Sequence, residues 1–204
     1  MKDCVGSADL SAVSTAYNTD RNGLLQDAIN LNSGYATFPS GIYFNSAFTI
    51  TSWVKAGSSL GTWCRLVDFS TGGTASEVYF TLSYGSSSKL GFGIYDSSGT
   101  IKASLSSSVA SAQLSTAAWS FVSVTYDGYT LSFYVNGVLI DSSSSATYFI
   151  PESVTRTSNF LGKSNSPDGY SNSLVDQLAI YNRDLTATQI ATLYAISYTP
   201  SGAN

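Results

Sequence analysis

The most polar loop of the chain, residues 163–173, carries side chains that could hold a hydroxyl-rich ligand. It offers two amides, a carboxylate and an aromatic ring, from Asn165, Asn172, Asp168 and Tyr170. Amides and carboxylates hydrogen-bond hydroxyl groups, and an aromatic ring can stack on the flat face of a sugar. Loops on a rigid scaffold carry binding sites disproportionately often. The Pro-Asp-Gly run in this loop also fits an ordinary β-turn, and both interpretations stay open.

Among the tryptophans, Trp63 is the best candidate for an exposed aromatic platform, because it follows a Gly-Thr turn. Trp53 and Trp119 lie inside strong strand patterns and are predicted to pack in the interior. Tyr84 and Tyr95 could line one face of a sheet, or cover the sheet at its edge.

One carboxylate falls at a position where it needs a partner. Counting by the strand period of two, Asp176 shares a face with the apolar residues Leu178 and Ile180. A carboxylate that faces a core must be paired, hydrogen-bonded or bound to a metal ion. Ca²⁺ takes clustered carboxylate and carbonyl oxygens, so one Ca²⁺ at Asp176, with Asp20 and Asn22 as further ligands, is one prediction. The alternatives are backbone N–H bonds to Asp176 and a simple turn at the Asp-Arg-Asn-Gly run.

The residue types that are missing or rare exclude several functions. The chain of 204 residues has no histidine, which excludes Ser-His and Cys-His nucleophile pairs and His-ligated zinc. Its two glutamates, Glu77 and Glu152, have no other acid within a few residues, so the paired carboxylates of a glycoside hydrolase are not evident. With a net charge of −4 and scattered basic residues, nucleic-acid binding is not expected. The sequence contains no apolar run of about 18 residues, so a membrane-spanning helix is not expected.

Strand patterns that favour aromatic and β-branched residues occupy most of the chain after Tyr35, and Gly/Ser/Asn turns separate them. They are predicted at 35–38, 48–55, 63–69, 77–82, 89–95, 101–105, 119–126, 130–135, 138–140 and 173–181. Asn136-Gly137 between two apolar runs indicates a tight hairpin. Thr186 and Gln189 form a capping box for one short C-terminal helix, predicted to end at Tyr194. We therefore expect one all-β domain over 1–204, an antiparallel β-sandwich, with 1–34 as an N-terminal turn and strand region packed on it.

Three segments carry a resemblance to laminin-G-like, concanavalin-A-like jelly rolls of the lectin-glucanase type. Phe48-Thr-Ile-Thr-Ser-Trp-Val-Lys55 resembles a strand of that family, and 119–137 resembles its central hairpin. The segment 159–190 is similar to the closing part, with Asn-Phe-Leu-Gly and Val-Asp-Gln-Leu-Ala-Ile-Tyr-Asn. The three segments come in the family's order and together cover roughly 35–195. The resemblance implies a concanavalin-A-like jelly roll and an extracellular or cell-surface location, although no signal peptide is visible in this numbering.

The two cysteines, Cys4 and Cys64, form either a disulfide or two free thiols. The even count and the extracellular character that the resemblance implies favour the disulfide. Such a bridge would tie the N-terminus to the strand that follows Trp63.

The combined expectation is an extracellular, non-catalytic carbohydrate-binding or adhesion module, which would depend on Ca²⁺ if the ion is bound. Its partners would be glycans or proteins of the matrix or cell surface. A second hypothesis is a structural subunit of an extracellular fibre, adhesin or coat, which would self-assemble and have no small ligand. A glycoside hydrolase is a third hypothesis, because the fold class also includes hydrolases.

Overall fold

Two antiparallel sheets of seven strands each pack face to face in the computed structural model, which describes residues 6–198. In chain order, the strands and helices are β1 (Ser11–Val13), β2 (Ala16–Asn18), β3 (Ala28–Asn30), β4 (Tyr35–Thr37), β5 (Phe48–Ala56), β6 (Arg65–Ser70), β7 (Val78–Thr81), β8 (Gly91–Tyr95), β9 (Ile101–Ser106), a 3₁₀ turn (Ala110–Ala112), β10 (Ser120–Tyr126), β11 (Thr130–Val135), β12 (Val138–Ser144), β13 (Ser158–Leu161), β14 (Ser173–Tyr181) and α1 (Ala187–Tyr198). The first sheet has the order β1-β4-β13-β6-β7-β8-β9, and the second has the order β12-β11-β10-β5-β14-β3-β2. The predicted all-β sandwich with one short C-terminal helix is confirmed.

The predicted strands after Tyr35 are all present, and most of their ends agree within two residues. The Asn136-Gly137 hairpin is confirmed, with φ of 51° and 79° and with Val135 opposite Val138. The capping box is also confirmed, because the backbone N–H of Gln189 donates to Thr186 Oγ1 (3.3 Å) and that of Thr186 donates to Gln189 Oε1 (2.9 Å).

The N-terminal region is more regular than the sequence indicates. Within 6–34, β1 joins the edge of the first sheet beside β4, whereas β2 and β3 continue the second sheet beside β14. These strands have only three residues each, too short for a periodic pattern to show. The N-terminal region therefore completes both sheets.

The core lies between the two sheets and is built from aromatic side chains that meet across the interface. Phe80 of the first sheet stacks on Phe133 of the second, with ring centroids 5.8 Å apart and an interplanar angle of 12°. Phe92 and Phe48 make a second cross-sheet contact at 5.9 Å. Because successive strand residues point to opposite sides, every strand of this core also has an outer face, and the two outer faces differ.

Helix α1 covers the outer face of the second sheet. Its Ile190, together with Leu185 just before the helix, packs on a cluster of three aromatic side chains that point away from the core, Trp53, Phe121 and Tyr134. This second cluster explains why β5 is buried at almost every position and does not show a buried-exposed alternation. In the described residues, no helix is long and apolar enough to cross a membrane.

The position of Asp176 differs from the expectation. The register of β14 against β5 shifts between Asp176 and Ala179, and Gln177 has a φ of 48° in this bulge. A bulge adds one residue and so reverses the faces of the residues after it. Asp176 therefore lies opposite Trp53 on the outer face, whereas Leu178 and Ile180 pack on the core. The predicted sharing of one face is wrong because the strand period is interrupted.

We expect the docking of α1 to depend on Ile190. Ile190 is 0% exposed, and Ile196 of the same helix is 63% exposed. The substitution Ile190→Ala should lower the free energy of unfolding by about 2 kcal/mol or more, since it removes buried methyl groups and leaves a cavity. The matched control Ile196→Ala should change it by less than about 0.5 kcal/mol. Urea denaturation of both variants measures this difference, and equal effects would contradict the packing of Ile190 under the helix.

Candidate functional site

The outer face of the first sheet is the candidate site, because it concentrates charged and aromatic side chains. The strand register aligns a single row across six strands of this face: Thr37, Phe160, Asp68, Tyr79, Gly93 and Ser104. Cross-strand neighbours in such a row lie about 5 Å apart. Residues from distant parts of the chain are thus brought side by side.

An ion cluster occupies the centre of this face, and we call Arg65, Asp68, Glu77 and Asp168 the Arg65 cluster. Arg65 Nε lies 3.4 Å from Asp68 Oδ2, and its Nη2 lies 3.6 Å from Asp168 Oδ2 and 4.0 Å from Glu77 Oε1. The side chains of Arg65, Asp68 and Glu77 are at most 6% exposed, whereas that of Asp168 is 21% exposed. Asp168 is therefore the carboxylate of the cluster that a ligand can reach.

Glu77 is the unusual member of the Arg65 cluster. Burial raises its pKa to about 9, and the neighbouring Asp68 adds to the shift, while Arg65 opposes it. Its Oε1 accepts no hydrogen bond. Glu77 is therefore protonated and neutral at pH 7, since two carboxylates this close do not both ionise readily. Glu77 therefore adds no negative charge to the cluster at neutral pH.

Aromatic rings surround the guanidinium of Arg65. Its Cζ lies 4.1 Å from the ring centroid of Tyr79 and 5.6 Å from that of Trp63. Trp63 in turn contacts Tyr84, with centroids 4.3 Å apart, and Tyr95 lies beside Tyr79 at 6.3 Å. Trp63, Tyr84 and Tyr95 are partly exposed. They form an aromatic frame that presents ring surface to solvent around a fixed cation.

Two glycines of β8 make room for this frame. A Cβ at Gly93 would lie 2.5 Å from a ring atom of Tyr79, and one at Gly91 would lie 2.3 Å from a ring atom of Tyr84. Neither distance is sterically possible. The alternation Gly91-Phe92-Gly93 therefore places apolar Phe92 in the core and leaves the outer positions to tyrosine rings from elsewhere in the sheet.

Two of the predicted loop residues, Asp168 and Asn165, contact the Arg65 cluster, and only Asp168 is reachable from solvent. Asp168 belongs to the Arg65 cluster, and Arg65 Nη1 donates to the carbonyl of Trp63 (2.9 Å). Asn165 turns inward, where its Nδ2 donates to Asp68 Oδ1 (2.7 Å) and its backbone N–H donates to Asp68 Oδ2 (3.0 Å). Asn165 is thus a residue that positions Asp68, and its amide is not presented to a ligand.

Asn172 and Tyr170 have different roles in the same loop. Asn172 Nδ2 donates to the carbonyl of Ser59 (2.7 Å) and so joins this loop to the turn before Trp63. Tyr170 stacks on Tyr35 and stays exposed. Within the loop, the N–H of Asp168 donates to the carbonyl of Ser166 (2.7 Å), which makes a tighter turn than the β-turn that Pro-Asp-Gly suggested.

Sequence reasoning missed most of the Arg65 cluster as a site. Arg65, Asp68 and Tyr79 lie inside strand patterns, where they were not distinguished from structural residues. One local signal was available: charged residues at 65 and 68 in a strand that is otherwise apolar need partners wherever they are buried. The identity of those partners is set by sheet register, which the sequence does not show.

Two of the three predicted calcium ligands, Asp176 and Asp20, are engaged by groups of the protein itself. Asp176 forms a buried ion pair with Arg21, whose guanidinium also lies over the ring of Trp53 at 5.1 Å. Asp20 Oδ1 accepts the backbone N–H groups of Asn22 and Leu24, each at 2.8 Å, which is the simple turn expected as the alternative. In the part of the chain from 6 to 198, no three Asp, Glu or Cys side chains group closely enough for a metal ion. The charge of Asp176 is thus balanced by Arg21, and a bound Ca²⁺ stays a prediction.

Cys64 is buried and forms no disulfide with another residue between 6 and 198, and burial raises the pKa of its thiol to about 12. A thiol with so high a pKa is unreactive at neutral pH. Its predicted disulfide partner, Cys4, lies outside the described residues, so the Cys4–Cys64 bridge stays a prediction.

The three carboxylates of the Arg65 cluster do not form a hydrolytic pair. Asp68 is fully buried, and both its oxygens accept hydrogen bonds from Asn165 or Arg65. Glu77 is equally inaccessible. Glycoside hydrolysis requires two carboxyl groups on either side of a bound glycosidic bond, and in the Arg65 cluster only Asp168 is exposed enough to contact one.

Comparison with known proteins gives a family and a fold. The model of the concanavalin A-like lectin/glucanases superfamily matches residues 30–191. No curated protein matches the sequence. Among solved structures, the chain is similar to the binding domain of Paraclostridial Mosquitocidal Protein 1, with 21% identity and a TM-score of 0.67 over 96% of this chain and 49% of that one.

Two further structures share the fold. The botulinum neurotoxin serotype G binding domain has 16% identity and a TM-score of 0.67, over 95% of this chain and 47% of its own. Domain 4 of AbnA, a GH43 extracellular arabinanase from Geobacillus stearothermophilus, in complex with arabinotriose, has 19% identity and a TM-score of 0.66, over 93% and 88%. The chain spans about half the length of the toxin domains and most of the arabinanase domain. At this identity, the similarity shows the fold.

The protonation of Glu77 has a measurable consequence for stability. Its pKa is about 9 in the folded protein and 4.5 in an exposed glutamate, so the folded state binds more protons between these values. The free energy of unfolding should therefore fall as the pH rises from about 5 to 9, by on the order of 1 kcal/mol per pH unit. The variant Glu77→Gln, which cannot ionise, should remove this slope in urea denaturation.

Glu152→Gln is the matched control for Glu77→Gln. A hydrogen bond from Ser76 lowers the pKa of Glu152, so its contribution is lost only as the pH falls below the ordinary glutamate value. The control should leave the slope between pH 5 and 9 intact. An unchanged slope in Glu77→Gln would show that Glu77 is ionised at neutral pH and would contradict the charge assigned to the Arg65 cluster.

Proposed function

The chain belongs to the concanavalin A-like lectin/glucanases superfamily, and we propose that it is a non-catalytic carbohydrate-binding module whose site is the aromatic frame around Arg65. The observation that carries this proposal is the partial exposure of Trp63, Tyr84 and Tyr95 beside a reachable carboxylate, Asp168. Flat apolar ring surface next to fixed hydrogen-bonding groups suits a sugar, whose rings have one apolar face and a rim of hydroxyl groups.

Each part of the frame has a role in this proposal. The ring of Trp63 stacks on a sugar ring, and Asp168 accepts hydrogen bonds from sugar hydroxyl groups. Arg65, Asp68 and Tyr79 stay buried and hold both groups in place, so that little conformational entropy is lost on binding. The contact surface is shallow, so affinity for one site is low, and binding to a glycan-covered surface is strengthened by multivalency.

Neither a catalytic step nor a calcium ion is part of the proposed function. The buried carboxylates of the Arg65 cluster cannot reach a substrate bond, which argues against the hydrolase hypothesis. The predicted calcium ligands are engaged by Arg21 and by backbone N–H groups. We therefore expect binding in EDTA to equal binding in Ca²⁺. The arabinotriose in the complex of AbnA domain 4 supports carbohydrate as the class of ligand, and an extracellular location and a role in adhesion are part of this proposal.

A self-assembling subunit stays an alternative prediction. The edge strand β12 presents exposed Val138 and Leu139, and unpaired edges can pair with another chain. Asp141 lies on the same strand, and charged residues on an edge oppose such pairing. Self-assembly through β12 is thus opposed by a charge, whereas the aromatic frame offers a surface that suits a sugar. We therefore prefer carbohydrate binding to self-assembly.

Carbohydrate binding should depend on Trp63 and Asp168. Trp63→Ala removes the stacking surface and Asp168→Asn removes the exposed charge, and each should lower the affinity about tenfold or more, the equivalent of about 1.4 kcal/mol. Glycan-array screening of the wild type, followed by titration calorimetry with the best ligand in EDTA and in Ca²⁺, measures both effects. The control Tyr17→Ala removes an exposed ring from the second sheet and should leave the affinity unchanged.

Two results would contradict the proposal. If the folded wild-type protein binds no class of glycan, the proposed carbohydrate-binding function is wrong. If the Trp63→Ala variant is folded, as judged by thermal unfolding, and still binds with the wild-type affinity, the binding site does not include Trp63 and the proposed location of the site is wrong.

A further inference from the structure

A second aromatic platform lies on the same molecule, at Tyr170. Its ring stacks on that of Tyr35, with centroids 5.9 Å apart and an interplanar angle of 10°, and Tyr170 remains 41% exposed. Tyr35 is fixed from below by Phe160, whose ring meets it edge-on at 5.7 Å, and Lys163 Nζ lies 4.5 Å from its centroid. Tyr170 is thus the exposed top of a stack that the sheet supports, and the ammonium group of Lys163 lies against the rings of Tyr35 and Phe160 in this stack.

Sheet register places this platform on the face that carries the aromatic frame. Thr37 lies opposite Phe160, and Phe160 lies opposite Asp68 of the Arg65 cluster. Tyr35 points to the same side as Thr37, since the two are two residues apart on β4. Strand β13 lies between β4 and β6, so β4, whose Tyr35 supports Tyr170, and β6, which Trp63 precedes, are two strand spacings apart, roughly 10 Å. The two platforms therefore rest on different strands of the sheet.

Hydrogen bonds between two loops keep the separation of the platforms constant. The N–H of Gly57 donates to the carbonyl of Asn172 (2.8 Å), and Asn172 Nδ2 donates back to the carbonyl of Ser59 (2.7 Å). These bonds join the loop that leads to Trp63 with the loop that carries Tyr170. The exposed Asp168 lies on the latter loop, two residues before Tyr170. A ligand that leaves Trp63 toward Tyr170 therefore stays near a hydrogen-bond acceptor.

We propose that Tyr170 is a second sugar subsite, so that the ligand is an oligosaccharide that extends from Trp63 to Tyr170 and not a single sugar. This inference rests on the proposed function and deepens it by naming the size class of the ligand. Two rigid platforms at a fixed separation reward a chain that reaches both, because the second contact is then made without a second loss of translational freedom. Lys163 supplies hydrogen-bond donors for sugar hydroxyl groups at this end of the site.

The experiment compares ligand lengths. Oligosaccharides of arabinan, xylan, cellulose and chitin, each from one to six sugars, are titrated into the wild type by calorimetry. For the chain type that binds, the affinity should rise steeply at the length that first reaches both platforms and then level off. Tyr170→Ala should remove this rise: it lowers the affinity for the longest ligand roughly tenfold, and it leaves the affinity for the shortest binding ligand unchanged.

Two further variants separate a subsite from a structural role. Tyr170→Phe keeps the ring and should restore the rise with length. Tyr129→Ala removes a ring that is 55% exposed on the β10–β11 turn of the second sheet and should match the wild type at every length. If Tyr170 served only to cover Tyr35, its loss would weaken short and long ligands alike, and the inference would be overturned.

The outcomes also distinguish this inference from the proposed function. Binding that depends on Trp63 but does not increase with length, or that is unaffected by Tyr170→Ala, overturns the second subsite and leaves the carbohydrate-binding function in place. No binding by the wild type at any length overturns both.

Discussion

The guanidinium of Arg65 is the interaction on which the candidate site depends. It pairs with Asp68 and Asp168, stacks on Tyr79, and donates to the carbonyl that precedes Cys64. A buried arginine is tolerated only where its charge and its donors find partners, and here the partners come from three separate strands or loops. The contact with Arg65 in turn fixes the position of each partner. The cluster therefore stabilises one arrangement of the outer face. The rings of the aromatic frame pack around the cluster and are held in one position as well.

The outer faces of the two sheets differ in polarity and in exposure to solvent. The second sheet turns Trp53, Phe121 and Tyr134 outward and covers them with α1, so that face is a second apolar core. The first sheet turns outward a mixture of charges, tyrosines and glycines, which water can partly reach. A covered apolar face cannot meet a ligand, whereas a polar aromatic face can. The outer face of the second sheet is apolar because α1 packs on it, and the outer face of the first sheet is not covered by this helix.

A second arginine organises the opposite side of the molecule by the same chemistry. Arg21 pairs with Asp176, lies over Trp53, and donates to the carbonyl of Ser197 near the end of α1 at 2.9 and 2.6 Å. Its cation satisfies a carbonyl at the C-terminal end of the helix, where positive charge is favoured. The N-terminal region, the bulge of β14 and the C-terminal helix are thus tied at one point. In this protein, a paired and stacked arginine holds the candidate site on one sheet and a helix on the other.

The sequence by itself determined the sandwich, because local patterns specify it: strands rich in aromatic and β-branched residues such as 48–55, the Asn136-Gly137 turn and the Thr186–Gln189 capping box all form as predicted. It also indicated Trp63 as a candidate exposed platform, and Asp168 and Tyr170 as ligand-binding candidates, since turn position and polarity are local properties as well. The side chains of all three are at least partly exposed. Only the tertiary structure decided that Asp68, Glu77 and Asp168 meet at Arg65, that Asn165 turns inward, and that Asp176 faces outward to Arg21. The physical reason is that these contacts depend on sheet register and on one bulge, and a shift of a single residue sends a side chain to the other face.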